Sequence, residues 1–473
     1  MEKVSAVWQC VEAKKALGIG LSDGVWETPE IAYGEFHSAD RHTALLEAEG
    51  FRVTENLAGI PTAMMGEAGE GGPVIAILGE LDALPGLSQK AGVAQPCPVE
   101  TGGPGHGCGH NLLGGGALLA AIGVKDWLAA NHIPGRVRYY GCPAEEGGAA
   151  KTFLVRAGAF SDVDAAISWH PACFNNIDPA LSLANCRIDF EFFGRASHAS
   201  AAPHLGRSAL DAVELMNVGV NYMREHMPSG DRIHYAMLDS GGIAPNVVQA
   251  YAKVRYLIRS PELAGMRALV GRVKKVAEGA ALMTETRMDF RFVSGVSNIL
   301  TNPPLERAGQ RSLEALGPIA FDAADYAFAA KIQASLGPAD IESSYRRIGL
   351  PRGDSPLFAG VVPLGTRGEP MIGSTDLGDI SWAVPMVQFR GATWAIGTPG
   401  HSWQATAQGK SPAAHKAMVH IAKAMAQTAA DLVTDPGLLA EAQADHRARL
   451  DKTPYVCPIP DDVDPPIRPR PAV

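Results

Sequence analysis

The sequence predicts an α/β fold in which helices flank a mostly parallel sheet, with a second, βαββαβ (ferredoxin-like) unit inserted into the first. Two patterns support this prediction. Apolar runs of strand length, such as 73–81 and 164–170, alternate with segments of helical periodicity, such as 112–132, which is typical of parallel sheets. From about Leu183 the predicted order becomes strand, helix, strand, strand, helix, strand, which indicates an independent small sandwich.

The chain length also indicates more than one unit, because 473 residues exceed what one ordinary core encloses. We expect a main domain formed by 1–184 and 298–473, interrupted by an inserted domain at 185–297. In an open parallel sheet the carboxyl ends of the strands share one edge, so a functional site is expected there.

The N-terminal segment predicts two helices. The first is expected at 4–17 and is followed by a glycine-containing stretch, 18–24, which we interpret as a connector, because a nucleotide-binding glycine loop would follow a strand. The second is expected to begin at Thr28, with Pro29 in its first turn, and to run to about Glu49.

Two C-terminal stretches predict little regular structure. Residues 338–390 contain many glycines and prolines and few periodic signals. Six prolines lie between Pro458 and Pro471, so this tail is not expected to pack tightly. Between these stretches, the alanine-rich segment 411–433 predicts a long helix.

Composition excludes several classes of protein. The net charge of −9 argues against nucleic acid or an anionic membrane as a partner. Seven cysteines in no recognisable disulfide pattern indicate reduced thiols and a cytoplasmic protein. The stretch Met1–Trp8 has no long apolar run of the kind found in secretory signals, and no stretch is expected to match the ~20 apolar residues of a membrane span.

A glycine-rich loop carries the first candidate metal ligands, Cys108 and His110. The loop 102–111 lies between the apolar strand 73–81 and the helix 112–132. Glycine permits sharp turns and close approach to a bound group, and a Cys-x-His pair can hold one metal ion from two sides.

Further potential ligands follow two later strands and occur in a late loop. Glu145 and Glu146 follow the strand that begins at Arg136, His170 ends the next one, and His401 lies in a Gly/Pro loop. Each alone has an ordinary explanation, such as a solvated acidic turn or a hydrogen-bonded histidine. Together with the Cys-x-His pair they suffice for two metal ions, which lower the pKa of bound water towards neutrality.

Other polar residues have two open interpretations. Glu145 could accept a proton from such a water and pass it to a leaving amine. His198, among small residues after a strand, could donate to a developing oxyanion or be a surface histidine. Asn246 could bind a carboxylate or close a turn, and Arg259 could bind a carboxylate through two hydrogen bonds or be a surface charge.

These segments, in this order and spacing, resemble the dinuclear-metal aminoacylase/carboxypeptidase/dipeptidase family, specifically its amidohydrolase branch with a Cys-Gly-His motif. The matching segments are Gly105–His110, Pro143–Glu146, Trp169–Pro171, Gly194–Ser200 and His401–Ser402. Two further segments, Cys108–Asn111 and Gly373–Trp382, are most similar to the aminobenzoyl-glutamate-hydrolysing subgroup.

The resemblance implies a catalytic domain with two divalent metal ions, Zn or Mn, and an inserted lid that dimerises. The implied metal ligands are Cys108, His110, Glu146, His170 and His401. The implied general base is Glu145, and His198 is implied to reach into a partner subunit's site. Asn246 and Arg259 match positions near the substrate carboxylate. The implied reaction is hydrolysis of the amide bond of an N-acyl or N-aroyl amino acid, such as p-aminobenzoyl-glutamate, by a hydroxide that bridges the metals.

The sequence departs from much of the branch at two places. The common Arg-Ala-Asp-x-Asp-Ala-Leu-Pro segment is replaced by Leu78–Pro85, in which Asp82 is expected to support a ligand. Asn111 replaces an aspartate after the Cys-Gly-His. Both departures fit the aminobenzoyl-glutamate subgroup.

The alternatives that remain open concern substrate, activity and assembly. The substrate could instead be an auxin-aspartate or hippurate type of conjugate, or a dipeptide. The chain could also be a non-catalytic binding subunit on the same fold, or carry a redox-active metal. It is expected to form a homodimer through the lid or a heteromer with a related subunit.

Overall fold

The computed structural model describes residues 5–178, 182–369 and 373–470 and contains two sheets. The strands are β1 (Arg52–Glu55), β2 (Met64–Glu70), β3 (Val74–Glu80), β4 (Gly135–Cys142), β5 (Ala165–Ala172), β6 (Asn176–Ile177), β7 (Ala184–Phe193), β8 (Arg232–Asp239), β9 (Tyr251–Ser260), β10 (Arg287–Val296) and β11 (Met386–Ala392). The helices are α1 (Ala6–Glu27), α2 (Phe36–Ala48), α3 (His110–Asn131), α4 (Ala150–Arg156), α5 (Ala209–Met223), α6 (Leu263–Thr284), α7 (Pro303–Leu316), α8 (Ala323–Gln333), α9 (Pro338–Ile348), α10 (Leu377–Ala383), α11 (Trp403–Gln408), α12 (Pro412–Thr434) and α13 (Pro436–Leu450).

The larger sheet has the strand order β1-β2-β4-β3-β5-β11-β6. Its four central strands, β4, β3, β5 and β11, are mutually parallel, whereas β2 and β6 pair antiparallel with their neighbours. Every residue of β3 is buried, as expected for a central strand covered on both faces. The predicted mostly parallel sheet flanked by helices is therefore confirmed.

The smaller sheet is antiparallel, in the order β10-β7-β9-β8. Along the chain its elements follow the predicted order β7, α5, β8, β9, α6, β10. The apolar sides of α5 and α6 form one core with alternate residues of β7 and β9, as the period-two alternation of strands requires. The limits 1–184, 185–297 and 298–473 remain a prediction.

Helix α3 forms much of the main core and carries the candidate ligand His110 at its first position. It has the length and hydropathy of a membrane span, contrary to the sequence expectation, but 78% of its most apolar window is buried inside the protein. Its apolar character is thus explained by packing against the sheet and the neighbouring helices.

The predicted connector 18–24 and the predicted helix start at Thr28 are both wrong. Residues 18–24 lie within α1, because their glycines allow close packing: a Cβ at Gly18 would lie 2.9 Å from the Leu119 Cβ of α3. Thr28 ends α1, and α2 begins only at Phe36, where the Glu30 carboxylate accepts hydrogen bonds from two backbone N–H groups of its first turn.

The C-terminal region is more regular than the sequence indicates. Residues 338–390 contain α9 and α10, and α13 follows α12. Part of the proline-rich tail packs, contrary to expectation: Ile459 is 1% exposed, and Arg156 donates a hydrogen bond of 2.7 Å to the Pro460 carbonyl oxygen. The predicted first helical residue, Val4, and the last proline, Pro471, lie outside the described residues.

Candidate metal centre

The loop between β3 and α3 brings Cys108 and His110 to the carboxyl edge of the larger sheet. Gly109, between them, has a φ of +78°. A Cβ at this position would lie 2.9 Å from Cγ of Pro171 in β5, so glycine satisfies both the left-handed conformation and the close approach. The loop is thereby held against the strand that carries His170.

His110 and His170 are both oriented by hydrogen bonds of Nδ1. His110 Nδ1 lies 2.9 Å from the Asp82 carbonyl oxygen and 3.1 Å from Asp82 Oδ1, and His170 Nδ1 lies 2.8 Å from the Pro171 carbonyl oxygen. A proton on Nδ1 leaves Nε2 unprotonated and able to bind a metal. Nε2 of His170 lies 3.3 Å from Cys108 Sγ.

A strained turn after β4 presents Glu145 and Glu146. Ala144 has a φ of +56°, which is unusual for a residue with a side chain. The turn is held by two buried carboxylates: Glu35 accepts from the Ala144 N–H at 2.9 Å, and Asp82 accepts from the Glu146 N–H at 2.9 Å. Asp82 therefore fixes one predicted ligand, His110, through its ring and another, Glu146, through its backbone.

His401 joins the same edge from the loop before α11. Its backbone N–H donates to the Gly107 carbonyl oxygen at 3.0 Å, which ties it to the loop of Cys108. Its Nε2 lies 3.2 Å from Glu146 Oε1, and its side chain is 55% exposed. A φ of +57° at His401 again marks backbone strain at this edge.

Three overlapping groups of side chains could each hold a metal ion, because the ligand atoms within each lie within 4.8 Å of one another. The groups are Cys108, His110 and His170; Cys108, Glu146 and His401; and Glu80, His110 and Glu145. The structure thus brings together all five predicted ligands and the predicted base.

The chemistry of these donors fits divalent metal ions. Two close contacts join potential ligands to each other: His110 Nε2 lies 3.1 Å from Glu80 Oε2, and His401 Nε2 lies 3.2 Å from Glu146 Oε1. With its proton on Nδ1, His110 Nε2 cannot donate to Glu80 Oε2, so these two buried atoms are left without a hydrogen bond among the described residues. Buried polar atoms are rarely left unsatisfied, and thiolate, imidazole and carboxylate are the usual ligands of Zn²⁺ and related ions. Burial raises the pKa of the Cys108 thiol, so a thiolate at this position needs a nearby cation.

The two adjacent carboxylates differ in electrostatics. Burial, with Glu80 and Glu146 nearby, raises the pKa of Glu145 well above its usual range. Burial also acts to raise the pKa of Glu146, but the hydrogen bond with His401 and the charge of His110 hold it below its usual value. Glu145 is therefore the carboxylate with the greater affinity for a proton.

Three charged residues beside the site were missed by the sequence reasoning. The Lys151 Nζ is buried between Glu80 Oε1, at 2.8 Å, and Asp376 Oδ1, at 2.7 Å. Glu80 could have been found from the sequence, since it is the only charged residue in the apolar run 73–81 and ends the strand β3. Lys151 and Asp376 could not, because their pairing joins residues 225 positions apart.

His198 and Asn246 lie together on the smaller-sheet unit, outside these groups. The Asn246 carbonyl oxygen accepts from the Ala199 N–H at 3.0 Å, and His198 pairs with Val247 in an isolated bridge. His198 Nδ1 accepts from the N–H groups of Ser200 and Ala201. Its proton must then be on Nε2, which leaves an exposed N–H donor.

Arg259 occupies a different part of the smaller sheet. It lies near the end of β9, opposite Asn185 of β7, and its Nε is buried without a hydrogen-bond partner among the described residues. The three predicted substrate-contacting residues are therefore divided between two places, the His198/Asn246 loops and the sheet face at Arg259.

Comparison with known proteins gives close matches along most of the chain. A family model described as Peptidase family M20/M25/M40 matches residues 76–432. The chain is 47% identical over 466 residues to one of the subunits of p-aminobenzoyl-glutamate hydrolase of Escherichia coli (strain K12), covering 96% of this chain and 97% of the relative. It is 28% identical to the Xaa-Arg dipeptidase of Mus musculus, covering 93% of this chain and 90% of the relative.

A solved structure shows the same fold at low sequence identity. The crystal structure of a dinuclear metal-binding peptidase from Bacillus subtilis superposes with a TM-score of 0.57 at 16% identity, covering 89% of this chain and 99% of that one. The resemblance inferred from the motifs is thus confirmed over most of the chain. The chain belongs to peptidase family M20/M25/M40 and is a hydrolase of amide bonds.

Proposed function

We propose that the chain hydrolyses the amide bond between an aroyl or acyl group and an amino acid with a free carboxylate, with p-aminobenzoyl-glutamate as the reference substrate. The observation that carries the proposal is the placement of Glu145 beside the clustered donors of the candidate metal centre. The 47% identity to the Escherichia coli p-aminobenzoyl-glutamate hydrolase chain supports this substrate class.

The proposed cofactor is a pair of divalent metal ions, Zn²⁺ or Mn²⁺. The residues proposed to hold them are Cys108, His110, Glu146, His170 and His401. When bound, such ions supply an activated water and polarise the scissile carbonyl group. The Nδ1 hydrogen bonds of His110 and His170 hold both imidazoles with Nε2 towards the centre.

Glu145 is proposed as the general base. Its high proton affinity lets it accept the proton of the attacking water and pass it to the leaving nitrogen. Asp82 and Glu35 hold the turn that presents it, through hydrogen bonds to the backbone on either side. Preorganisation of this kind keeps the base in place throughout the reaction.

His198 and Asn246 are proposed to complete the site of a second subunit. The N–H of His198 Nε2 can donate to the oxyanion that forms on the carbonyl oxygen, and Asn246 can bind the substrate carboxylate. Both are exposed, and their contacts are with their own loops. An exposed position on the lid is what a residue that serves a neighbouring copy requires.

The surface proposed for assembly combines the edge strand β8 with the outer side of α5. Large apolar side chains are exposed on both: Tyr222 is 74% exposed, Val218 50% and Leu238 45%. An unpaired strand edge beside exposed apolar residues favours pairing with another chain. We propose a homodimer. A heteromer with a related chain is the second candidate, because the Escherichia coli relative is named as one of two kinds of subunit.

Amino-acid release by the purified chain alone tests the function. The metal-loaded chain would be incubated with p-aminobenzoyl-glutamate, hippurate, indole-acetyl-aspartate and an Xaa-Arg dipeptide. We expect glutamate release from the first substrate that stops with a chelator and returns with Mn²⁺ or Zn²⁺. Release from another member of the panel would reassign the substrate, and no release from any, with metal bound, would contradict the proposal for the chain alone.

The mass of the chain in solution tests the assembly. Light scattering should give twice the chain mass, and charged substitutions at Val218 and Tyr222 should give single chains. A chain that is monomeric at all concentrations would contradict the homodimer. We also propose a cytoplasmic location, since all seven cysteines are free thiols.

A further inference from the structure

The face of the smaller sheet opposite α5 and α6 carries more cations than its own carboxylates neutralise. Asp189 accepts two hydrogen bonds from Arg255, at 2.6 and 3.0 Å, and Lys253 bridges Asp189 and Glu191 at 3.1 and 2.9 Å. These pairs use the acidic residues of β7. In the described part of the chain, no hydrogen bond or ion pair holds the guanidinium groups of Arg187 or Arg259.

Arg187 and Arg259 are neighbours on this face. The register pairs Asn185 with Arg259 and Arg187 with Leu257, so the two arginines stand diagonally across adjacent strands. Diagonal neighbours are about 7 Å apart, a distance that two long side chains can span to meet one ligand. Burial, with the charges of Arg255 and Arg259 nearby, lowers the pKa of Arg187 although Asp189 acts in the opposite direction.

Arg187 also reaches the turn that follows the candidate metal-centre residues Glu145 and Glu146. Its Nη1 lies 3.3 Å from the point where a Cβ on Gly147 would be. Gly147 directly follows Glu146 and has a φ of +113°. The missing side chain lets the guanidinium rest over the turn that carries Glu145 and Glu146. The guanidinium of Arg187 therefore lies against the backbone that directly follows Glu145 and Glu146, where the smaller sheet meets the candidate metal centre.

We propose that Arg187 and Arg259 form a subsite for the side-chain carboxylate of the amino-acid half of the substrate, so that the released amino acid is dicarboxylic. The inference rests on the proposed function and adds to it the residue that selects glutamate-like over neutral or basic amino acids. Arginine suits this role because its planar donors match both oxygens of a carboxylate. A substrate with an arginine side chain would instead meet like charges at this place.

The preference of this subsite for one amino acid over another should depend on whether the bound side chain neutralises the two arginines. A glutamyl side chain neutralises the two partly buried cations, whereas the isosteric glutaminyl side chain leaves them beside a neutral amide. Removing one member of a buried charge pair has large effects on affinity, and sites built for polar partners reject analogues that lack them. We therefore expect p-aminobenzoyl-glutamate to bind about 100-fold more tightly than p-aminobenzoyl-glutamine.

Binding to an inactive, metal-loaded chain tests the proposal without relying on turnover. Calorimetric titrations of the Glu145→Gln chain with these two compounds would be repeated with Arg187→Gln added. We expect the preference for the glutamyl compound to fall below about tenfold in Arg187→Gln. Arg291→Gln is the matched control, since Arg291 is an exposed arginine on β10, opposite Asp189, with no ion pair among the described residues; it should retain the full preference.

Equal affinities of the inactive chain for the two compounds, no measurable binding of either, or an unchanged preference in Arg187→Gln would overturn the subsite. Hydrolysis of the two compounds by the wild-type chain is measured in a separate experiment, which distinguishes failure of the subsite from failure of the proposed function. If the glutamyl compound binds selectively but neither compound is hydrolysed, the subsite stands and the proposed function fails. If both are hydrolysed at equal kcat/KM, the proposed function stands and the subsite fails.

Discussion

Glu145 and Glu146 are adjacent in the sequence, yet their carboxylates meet different surroundings. Burial, together with Glu80 and Glu146, raises the pKa of Glu145. Burial also acts to raise the pKa of Glu146, but the hydrogen bond with His401 and the charge of His110 together lower it. Pairs of titratable groups with opposite shifts commonly divide roles in catalysis. The geometry thus favours Glu146 as a ligand and Glu145 as the group that moves a proton.

Asp82 supports two proposed ligands at once, so its removal should weaken metal binding. Its carboxylate lies 3.1 Å from His110 Nδ1 and accepts from the Glu146 N–H. We expect Asp82→Asn to reduce metal affinity about 10- to 100-fold, the usual effect of losing such a supporting group. Competition with a chelating dye would measure it.

The control for Asp82 is Asp379, a buried carboxylate with a different set of partners. Asp379 accepts hydrogen bonds from Ser297, Thr152 and Tyr455. Asp379→Asn should therefore change stability but not metal affinity. Equal metal affinities of Asp82→Asn and the wild-type chain would show that Asp82 does not support the ligands.

His42 should make the fold sensitive to acid. Its Nδ1 donates to the Ser38 carbonyl oxygen at 2.7 Å, Nε2 has no partner among the described residues, and burial lowers the pKa of His42 to about 4. Below about pH 6.5 the unfolded chain binds this proton and the folded chain does not, so stability falls as the pH decreases towards 4.

The change His42→Gln removes this proton linkage. Urea unfolding at pH 7 and pH 5 should show a smaller loss of stability in His42→Gln than in the wild-type chain, by up to about 2 kcal/mol from the pKa difference. His37→Gln, on the exposed side of the same helix, should behave like the wild type. Parallel pH profiles of wild type and His42→Gln would contradict this assignment.

At the scale of secondary-structure elements, one buried ion cluster connects three parts of the main domain. Lys151 at the start of α4 contacts Glu80 at the end of β3 and Asp376 at the start of α10. The Asp376 carboxylate also accepts from the Lys151 backbone N–H at 2.9 Å. The cluster fixes the end of β3 beneath the candidate metal centre.

Removal of the Lys151 charge should destabilise the fold strongly. Lys151→Met leaves two buried carboxylates without their cation, which typically costs about 3–5 kcal/mol. Lys15→Met, which removes the exposed partner of Glu12 on α1, should change stability by no more than about 1 kcal/mol. Guanidinium unfolding curves would compare them, and similar values for both variants would contradict the role of the cluster.

Elements with a local signal were predictable from sequence, and those defined by distant contacts were not. The buried strand β3 and its loop to α3 follow from apolar runs and glycines. The glycines of 18–24 led to the wrong prediction of a connector. They lie within α1, where Gly18 allows close packing of this helix against Leu119 of α3. No local sequence pattern identifies Lys151 or Asp376, because the two residues are distant in the sequence and meet only in the folded chain.

For the whole molecule, two sheets supply different parts of the proposed reaction. The carboxyl edge of the larger sheet gathers the metal donors and Glu145. The smaller sheet presents Arg187 and Arg259 on one face and His198 with Asn246 in adjacent loops. Motif order in the sequence predicted the donor set, because strand ends of a parallel sheet converge. Motif order did not identify Arg187, because its position near Gly147 depends on how the smaller sheet packs against the main domain.

The most direct test of the whole account is the turnover of Glu145→Gln, measured together with its metal content. The variant should fold, bind as much metal as the wild-type chain, and hydrolyse p-aminobenzoyl-glutamate about 10²- to 10⁴-fold more slowly, as expected for loss of a general base. A fully metal-loaded Glu145→Gln chain with a rate within tenfold of the wild type would contradict the assignment of Glu145 and the mechanism built on it.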